Sequence, residues 1–179
     1  MKIKKLLKDA YEIIPEIRGD ERGIFVKTFN ADIFRENRLE TAFAEEYYSV
    51  SHKNVLRGMH FQLPPYEHVK MVYCVFGKVL DVAVDIRSSS PDFGKSVSVE
   101  LDAEKANMVY LPKGFAHGFY VLGDKAIMMY RTSTVYNPKY DSGIIWNSIN
   151  FKWPCKKPIL SARDSKFESF ESFITKKVF

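Results

Sequence analysis

Short runs of apolar and β-branched residues dominate the middle of the chain, broken by turn residues at close spacing, which is the pattern of a sheet-forming chain. Gly23 to Phe29, Val55 to Phe61, Ser96 to Leu101, Met108 to Leu111, Gly118 to Leu122 and Ala126 to Thr132 each read as a strand. Met71 to Phe76 and Val79 to Ile86 read as the two arms of a hairpin turning at Gly77-Lys78. Asn30 offers a side-chain cap for a short helix running to about Arg38. Near the end, Phe167, Phe170, Phe173 and Ile174 recur at helical spacing, and Ser165 with Glu168 has the form of a capping box before them. No internal repeat, low-complexity stretch or Pro/Gly/Ser linker divides the chain. The pattern predicts one all-β domain over residues 1–179, a sandwich or barrel with short peripheral helices and a C-terminal helix.

Composition narrows this picture. With 179 residues, 46% of them hydrophobic, the chain can bury a core without help from disulfides or a structural metal. Cys74 and Cys155 form no CxxC or Cys/His cluster, and Cys74 sits inside an apolar run as a small buried hydrophobe would. The longest apolar candidate, Met71 to Ile86, is interrupted by Gly77, Lys78, Asp81 and Asp85 and falls short of the roughly 18 residues of a membrane span. The opening MKIKKLLKDAYEII is basic and then apolar, but its apolar run is too short for a secretory signal. A soluble, cytoplasmic protein is expected. The net charge of +5 is spread along the chain rather than gathered on one stripe, so no nucleic-acid partner is expected. Diffuse positive charge fits a small anionic substrate, and equally a merely soluble surface.

Candidate chemistry gathers around Pro112-Lys113-Gly114-Phe115-Ala116-His117-Gly118. This P-x-G-x-x-H run resembles the second motif of the cupin superfamily, in which a tight turn delivers a histidine to a barrel mouth. The first cupin motif, counted back from Gly77, would place a metal-binding carboxylate where Lys70 stands, and no H-x-H precedes it. An ammonium repels a divalent ion, so no metal or other cofactor is expected. In a dry pocket the same ammonium stabilises negative charge developing on oxygen; on a surface it would merely snorkel.

A more specific resemblance follows from Arg57-Gly58-Met59-His60-Phe61-Gln62, Lys70, Gly77 through Asp81 and Asp85-Ile86-Arg87, Ser90-Pro91 with Phe93-Gly94, and the His117 turn. Asp20 to Gly23, Tyr136-Asn137-Pro138, Gly143 to Asn147 and Leu160-Ser161 with Arg163-Asp164 extend it from about residue 20 to 165. Together these resemble the dTDP-4-dehydrorhamnose 3,5-epimerase family, of cupin jelly-roll fold. The resemblance implies a metal-free epimerase of a nucleotide-linked 4-keto-6-deoxyhexose, acting at C-3, C-5 or both, in deoxysugar biosynthesis. It implies His60 as general base, Asp164 as its orienting partner, Lys70 at the enolate oxygen and Tyr136 as the group returning a proton from the opposite face. It implies His117 with Asp81 as a second His–Asp pair, Arg57 and Arg22 as diphosphate ligands, Gln62 as a pocket residue, and a homodimer in which Arg22 reaches the partner's site. A nucleotide-sugar 3,4-ketoisomerase and a non-catalytic sugar-nucleotide-binding cupin are the alternatives.

Four positions depart from the family pattern. Lys27 replaces a glutamate, Glu45 and Tyr47 replace amides, and His68 replaces a glutamine. By resemblance these positions border the nucleotide or sugar, which leaves open whether the nucleotide is dTDP, CDP, GDP or UDP. Taken as residues alone, Asp164 could instead cap the tail helix, Tyr136 could be a rim aromatic, and Asp81 suits a pocket or plain solvent. Arg57 and His60 have opposite parity, so an ideal strand would turn them to opposite faces. Serving one pocket requires an irregularity at Gly58.

Overall fold

The computed structural model describes residues 1–179. The strands are β1 (Lys2–Leu7), β2 (Ala10–Ile14), β3 (Ile17–Asp20), β4 (Gly23–Val26), β5 (Glu45–His52), β6 (Leu56–Gln62), β7 (Lys70–Phe76), β8 (Lys78–Asp85), β9 (Ser96–Asp102), β10 (Met108–Leu111), β11 (Phe115–Val121), β12 (Lys125–Thr132) and β13 (Asp141–Gly143). Two helices complete the set, α1 (Ala31–Glu36) and α2 (Phe170–Ile174). A six-stranded sheet in the order β1-β2-β10-β7-β12-β5 faces a five-stranded sheet in the order β13-β6-β11-β8-β9. This is the β-sandwich expected of a jelly roll. No helix is long and apolar enough to cross a membrane.

Three apolar clusters explain why the central strands read as nearly continuous hydrophobic runs. Between the sheets lie Val72, Cys74, Leu111 and Met128 from one side and Val79, Ala83, Phe115 and Phe119 from the other. The outer face of the five-stranded sheet is covered by the C-terminal segment, with Trp146, Trp153 and Phe173 packed on Met59, Phe61, Val82 and Val84. The outer face of the six-stranded sheet is covered by Phe34 of α1 and Leu39, packed with Ile13, Met71, Tyr73 and Met108. A strand buried on both faces has no polar side left to show.

That double burial also misleads the sequence reading at Gly77. β7 and β8 are not a hairpin: β7 pairs with β10 and β12, while β8 pairs with β11 and β9 in the opposite sheet. Gly77 is the corner between layers, with φ +73° and a backbone so close to Lys125 that a Cβ would collide with its carbonyl oxygen. Gly77→Ala is expected to destabilise the fold by about 2 kcal/mol or more, through left-handed backbone strain added to that clash. Urea unfolding should show a lower midpoint at unchanged slope.

Other elements differ in smaller ways. The α1 cap is as expected, with Asn30 Oδ1 accepting from the backbone N–H groups of Asp32 and Ile33. The tail helix is shorter than its periodicity suggests and is capped by Ser169, whose Oγ accepts from Ser172 N at 3.1 Å. Ser165 does not cap it; it sits in a 3-10 turn over Asp164–Lys166 and donates to the Ala162 carbonyl. Strands β1, β2 and β5 carry too many charged and polar residues to stand out by pattern, and β1 and β5 are sheet edges, where such residues belong.

Candidate active site

One cavity of about 350 Å³ opens between the sheets, and its floor and walls come from β5, β6, β7, β11 and β12. The irregularity required at Gly58 is what aims β6 into it. Opposite β11, Phe119 pairs with Arg57 and His117 with His60, so three steps along β6 match two along β11. The extra residue is a bulge, and it restores Arg57 and His60 to one face. Gly58 takes φ +126° there, its peptide to Met59 is cis, and a Cβ would meet Gly118 Cα at 2.5 Å.

The bulge also releases the Gly58 N–H from the sheet ladder. It donates to Asp164 Oδ2 at 3.0 Å, while Asp164 Oδ1 lies 3.0 Å from His60 Nε2. Asp164, at 3% exposure, is thus spent on β6 and not on a helix cap. Burial pushes its carboxyl up, but His60 and the Gly58 N–H outweigh this and hold it down at about 2. With Nε2–H directed at a carboxylate, Nδ1 of His60 carries the basic lone pair. Burial lowers the His60 pKa below its ordinary value, although Asp164 opposes the shift. The imidazole ring is held edge-on by Phe167, 5.7 Å away between centroids.

Lys70 opens β7 at 7% exposure, so it is a buried ammonium and not a surface lysine. Burial lowers its pKa to about 8, with Asp81 and Asp141 acting through space in the opposite sense. His117 lines the cavity from β11, and its Nε2 lies 2.7 Å from Asp81 Oδ2. Asp81, expected as a substrate contact, is 2% exposed and stands behind His117, paired with its imidazole and not lining the cavity. No group of three or more His, Cys, Asp or Glu is placed to hold a metal ion.

Tyr136 sits at the rim, 54% exposed, yet it is tied down. Its backbone N–H donates to Glu45 at 2.8 Å and its hydroxyl to Asp141 at 3.3 Å. Asp141 is itself ion-paired with Arg163. Arg57 points one edge of its guanidinium at β5, donating to Ser51 Oγ and the Val50 carbonyl. Glu45, Tyr47, Gln62 and His68 all line the cavity. Tyr47 stacks on Tyr130 at 4.7 Å, and burial, then Glu45 and Asp141, push its phenol up to about 12.

Two expected ligands are not brought to this cavity by the chain. Arg22 lies on the β3–β4 ribbon, 85% exposed and paired with Asp20. Lys27 follows the same ribbon and lies beside Glu16 and Arg18. The ribbon pairs with neither main sheet, so nothing within the chain carries it to the cavity mouth. Conversely, the sequence reading did not select Asp141, Arg163, Ser49, Tyr130 and Thr132, which line the cavity. Arg163 had a signal, since it immediately precedes Asp164; Asp141 had only its place five residues after Tyr136.

The comparisons with known proteins agree with this geometry. The family profile described as dTDP-4-dehydrorhamnose 3,5-epimerase matches residues 4–172. The dTDP-4-dehydrorhamnose 3,5-epimerase of Shigella flexneri is 46% identical over 171 residues, covering 94% of each chain. Among solved structures, the dTDP-6-deoxy-D-glucose-3,5-epimerase of Legionella pneumophila in complex with dTDP-4-keto-L-rhamnose superposes with a TM-score of 0.93 at 35% identity, covering 99% of this chain and 96% of that one. A 3'-monoepimerase from Streptomyces bikiniensis in complex with dTDP-quinovose gives 0.90 at 30% identity, covering 98% and 91%. By profile, by sequence and by fold, this chain belongs to the dTDP-4-dehydrorhamnose 3,5-epimerase family.

Proposed function

We propose that the chain epimerises a nucleotide-linked 4-keto-6-deoxyhexose at C-3, C-5 or both, by removing and returning the proton alpha to the keto group. The observation that carries this is His60, backed by the buried Asp164, lining one cavity with a buried Lys70 ammonium and with Tyr136 at its rim. His60 Nδ1 takes the alpha proton, and Asp164 holds the imidazolium that forms. The electron pair moves onto the keto oxygen, where Lys70 and His117 stabilise the enolate as a Lewis acid otherwise would. Tyr136 returns a proton to the other face, inverting the centre. Arg57, with one edge of its guanidinium anchored and the rest turned to the cavity, suits a diphosphate oxygen.

The Legionella relative's dTDP-sugar complex supports a nucleotide-sugar substrate, and Glu45, Tyr47 and His68 on the cavity wall are where the nucleotide or sugar would be discriminated. The exposed ribbon bearing Arg22, with Ile24 and Phe25 both well exposed, is read as docking on a second copy of the chain in a homodimer.

The test is solvent deuterium incorporation into 4-keto-6-deoxy sugars linked to dTDP, CDP, GDP and UDP, followed by product NMR. Incorporation at C-3 or C-5 with inversion is expected, and no incorporation with any of the four overturns the reading. A positional isomer of the keto group in the product would identify a ketoisomerase. Tyr136→Phe should keep alpha-proton exchange within a few-fold while slowing inversion about 100-fold, the range for a lost general acid. Equal loss of both would remove Tyr136 from the reprotonation step.

A further inference from the structure

His68, two residues before Lys70 and lining the same cavity, carries an unused ring nitrogen. Its side chain and that of Lys70 line the cavity, while Val69 between them packs outward against the cluster under α1. Extended alternation thus puts His68 and Lys70 side by side on one wall. His68 Nε2 is buried and has no hydrogen-bond partner within the chain.

The surrounding hydrogen bonds fix which ring nitrogen bears the proton. The backbone N–H of Asn137 donates to Gln62 Oε1 at 2.6 Å, so the oxygen of that amide is identified. Gln62 Nε2 accordingly donates, to the Tyr66 carbonyl at 2.9 Å and with its second proton shared among His68 Nδ1 at 3.3 Å and Thr134 Oγ1 and the Val135 carbonyl at 3.4 Å. His68 Nδ1 is therefore the acceptor, and a neutral ring must carry its proton on Nε2, the partnerless atom. The ring is held neutral: burial first, then the charges of Lys70 and His117, lower its pKa to about 3.

Resting on the reaction proposed above, we propose that His68 determines specificity by donating its Nε2–H to the C-3 hydroxyl of the sugar while Lys70 holds the C-4 keto oxygen. Of the two carbons flanking C-4, only C-3 carries a hydroxyl; C-5 carries the ring oxygen and the methyl group. A neutral donor next to the ammonium matches that hydroxyl and orients the ring with C-3 towards His68. A second cation there would compete with Lys70 for the developing charge, and the neutral tautomer avoids this.

The test uses the full-length enzyme with paired substrates that carry or lack the C-3 hydroxyl, reading KM and kcat for exchange alpha to the keto group. His68→Phe should raise KM about tenfold on the hydroxylated substrate and leave the 3-deoxy substrate within twofold. His68→Gln, which restores an N–H donor, should recover most of the loss. An equal KM change on both substrates, or none on either, overturns the assignment. Nitrogen NMR of the wild-type imidazole provides a separate readout: the Nε2–H tautomer without titration between pH 5 and 8 is expected. An Nδ1–H tautomer or a titration in that range sinks the role of His68 alone. Wild-type enzyme that exchanges no alpha proton in any substrate sinks the reaction reading, and the C-3 contact with it.

Discussion

His60→Ala is expected to lower alpha-proton exchange and inversion together by about 10²–10⁴-fold, the range for a lost general base. The size of the effect follows from what surrounds the imidazole. Asp164 fixes the tautomer through Nε2, the Gly58 bulge fixes the strand that carries the ring, and Phe167 fixes the ring edge. His60 is thereby preorganised for one task, and no neighbouring group is placed to replace it: His117 is committed to Asp81, and His68 Nδ1 to Gln62. Binding should survive, because Arg57 and the β5 residues that line the cavity are untouched. The check is titration of a nucleotide-sugar product into wild type and variant, alongside exchange measured by NMR. Tight binding with exchange lowered by about 10²–10⁴-fold is the expected pair of results. Exchange within tenfold of wild type would remove His60 from the base position.

Lys70→Met should slow exchange by about 10²–10³-fold, the loss typical of removing a preorganised group that stabilises an oxyanion. Methionine keeps the length and the apolar stem, so the β7 strand should fold unchanged. The pH profile gives the variant a second signature. In the proposed reaction His60 works as the neutral base, and its pKa is lowered, so the acid limb of the wild-type profile should fall below the ordinary histidine value of 6.5. In the same proposal Lys70 works as the charged ammonium, with a pKa lowered to about 8, so activity should decline as pH rises through that value. Replacing Lys70 by methionine should abolish the basic limb and keep an acid limb, moved to higher pH because the Lys70 charge no longer helps to lower the His60 pKa. A basic limb that survives unshifted would assign it to another group, and Lys70 would lose its role.

Much of the site was legible because chemistry fixes residue type. A histidine, a lysine in place of a metal-binding carboxylate, a rim tyrosine and an aspartate near the tail stand in an order few unrelated chains would share. Parity even exposed the need for a bulge at Gly58, since Arg57 and His60 could not otherwise share a face. The edge strands that were missed share a physical reason. Edge strands such as β1 bury only part of one face, so their sequences do not carry the continuous apolar runs of β7, β8 and β10. The false hairpin at Gly77 has the converse reason: two apolar strands joined by glycine look the same whether they pair or pass to opposite layers.

What the sequence by itself determined is the inventory: an all-β chain, the His60, Lys70, Tyr136 and Asp164 set, and the family to which their spacing belongs. What only the tertiary structure decided is who partners whom. Asp164 meets His60 across 104 residues, Asp141 meets Arg163 and Tyr136, and Asp81 is withdrawn behind His117. It also left Arg22 and Lys27 away from the cavity and His68 Nε2 buried without a partner. Hydrogen bonds and ion pairs act over a few ångströms of space and are indifferent to distance along the chain. They come into being only when the two sheets close on each other.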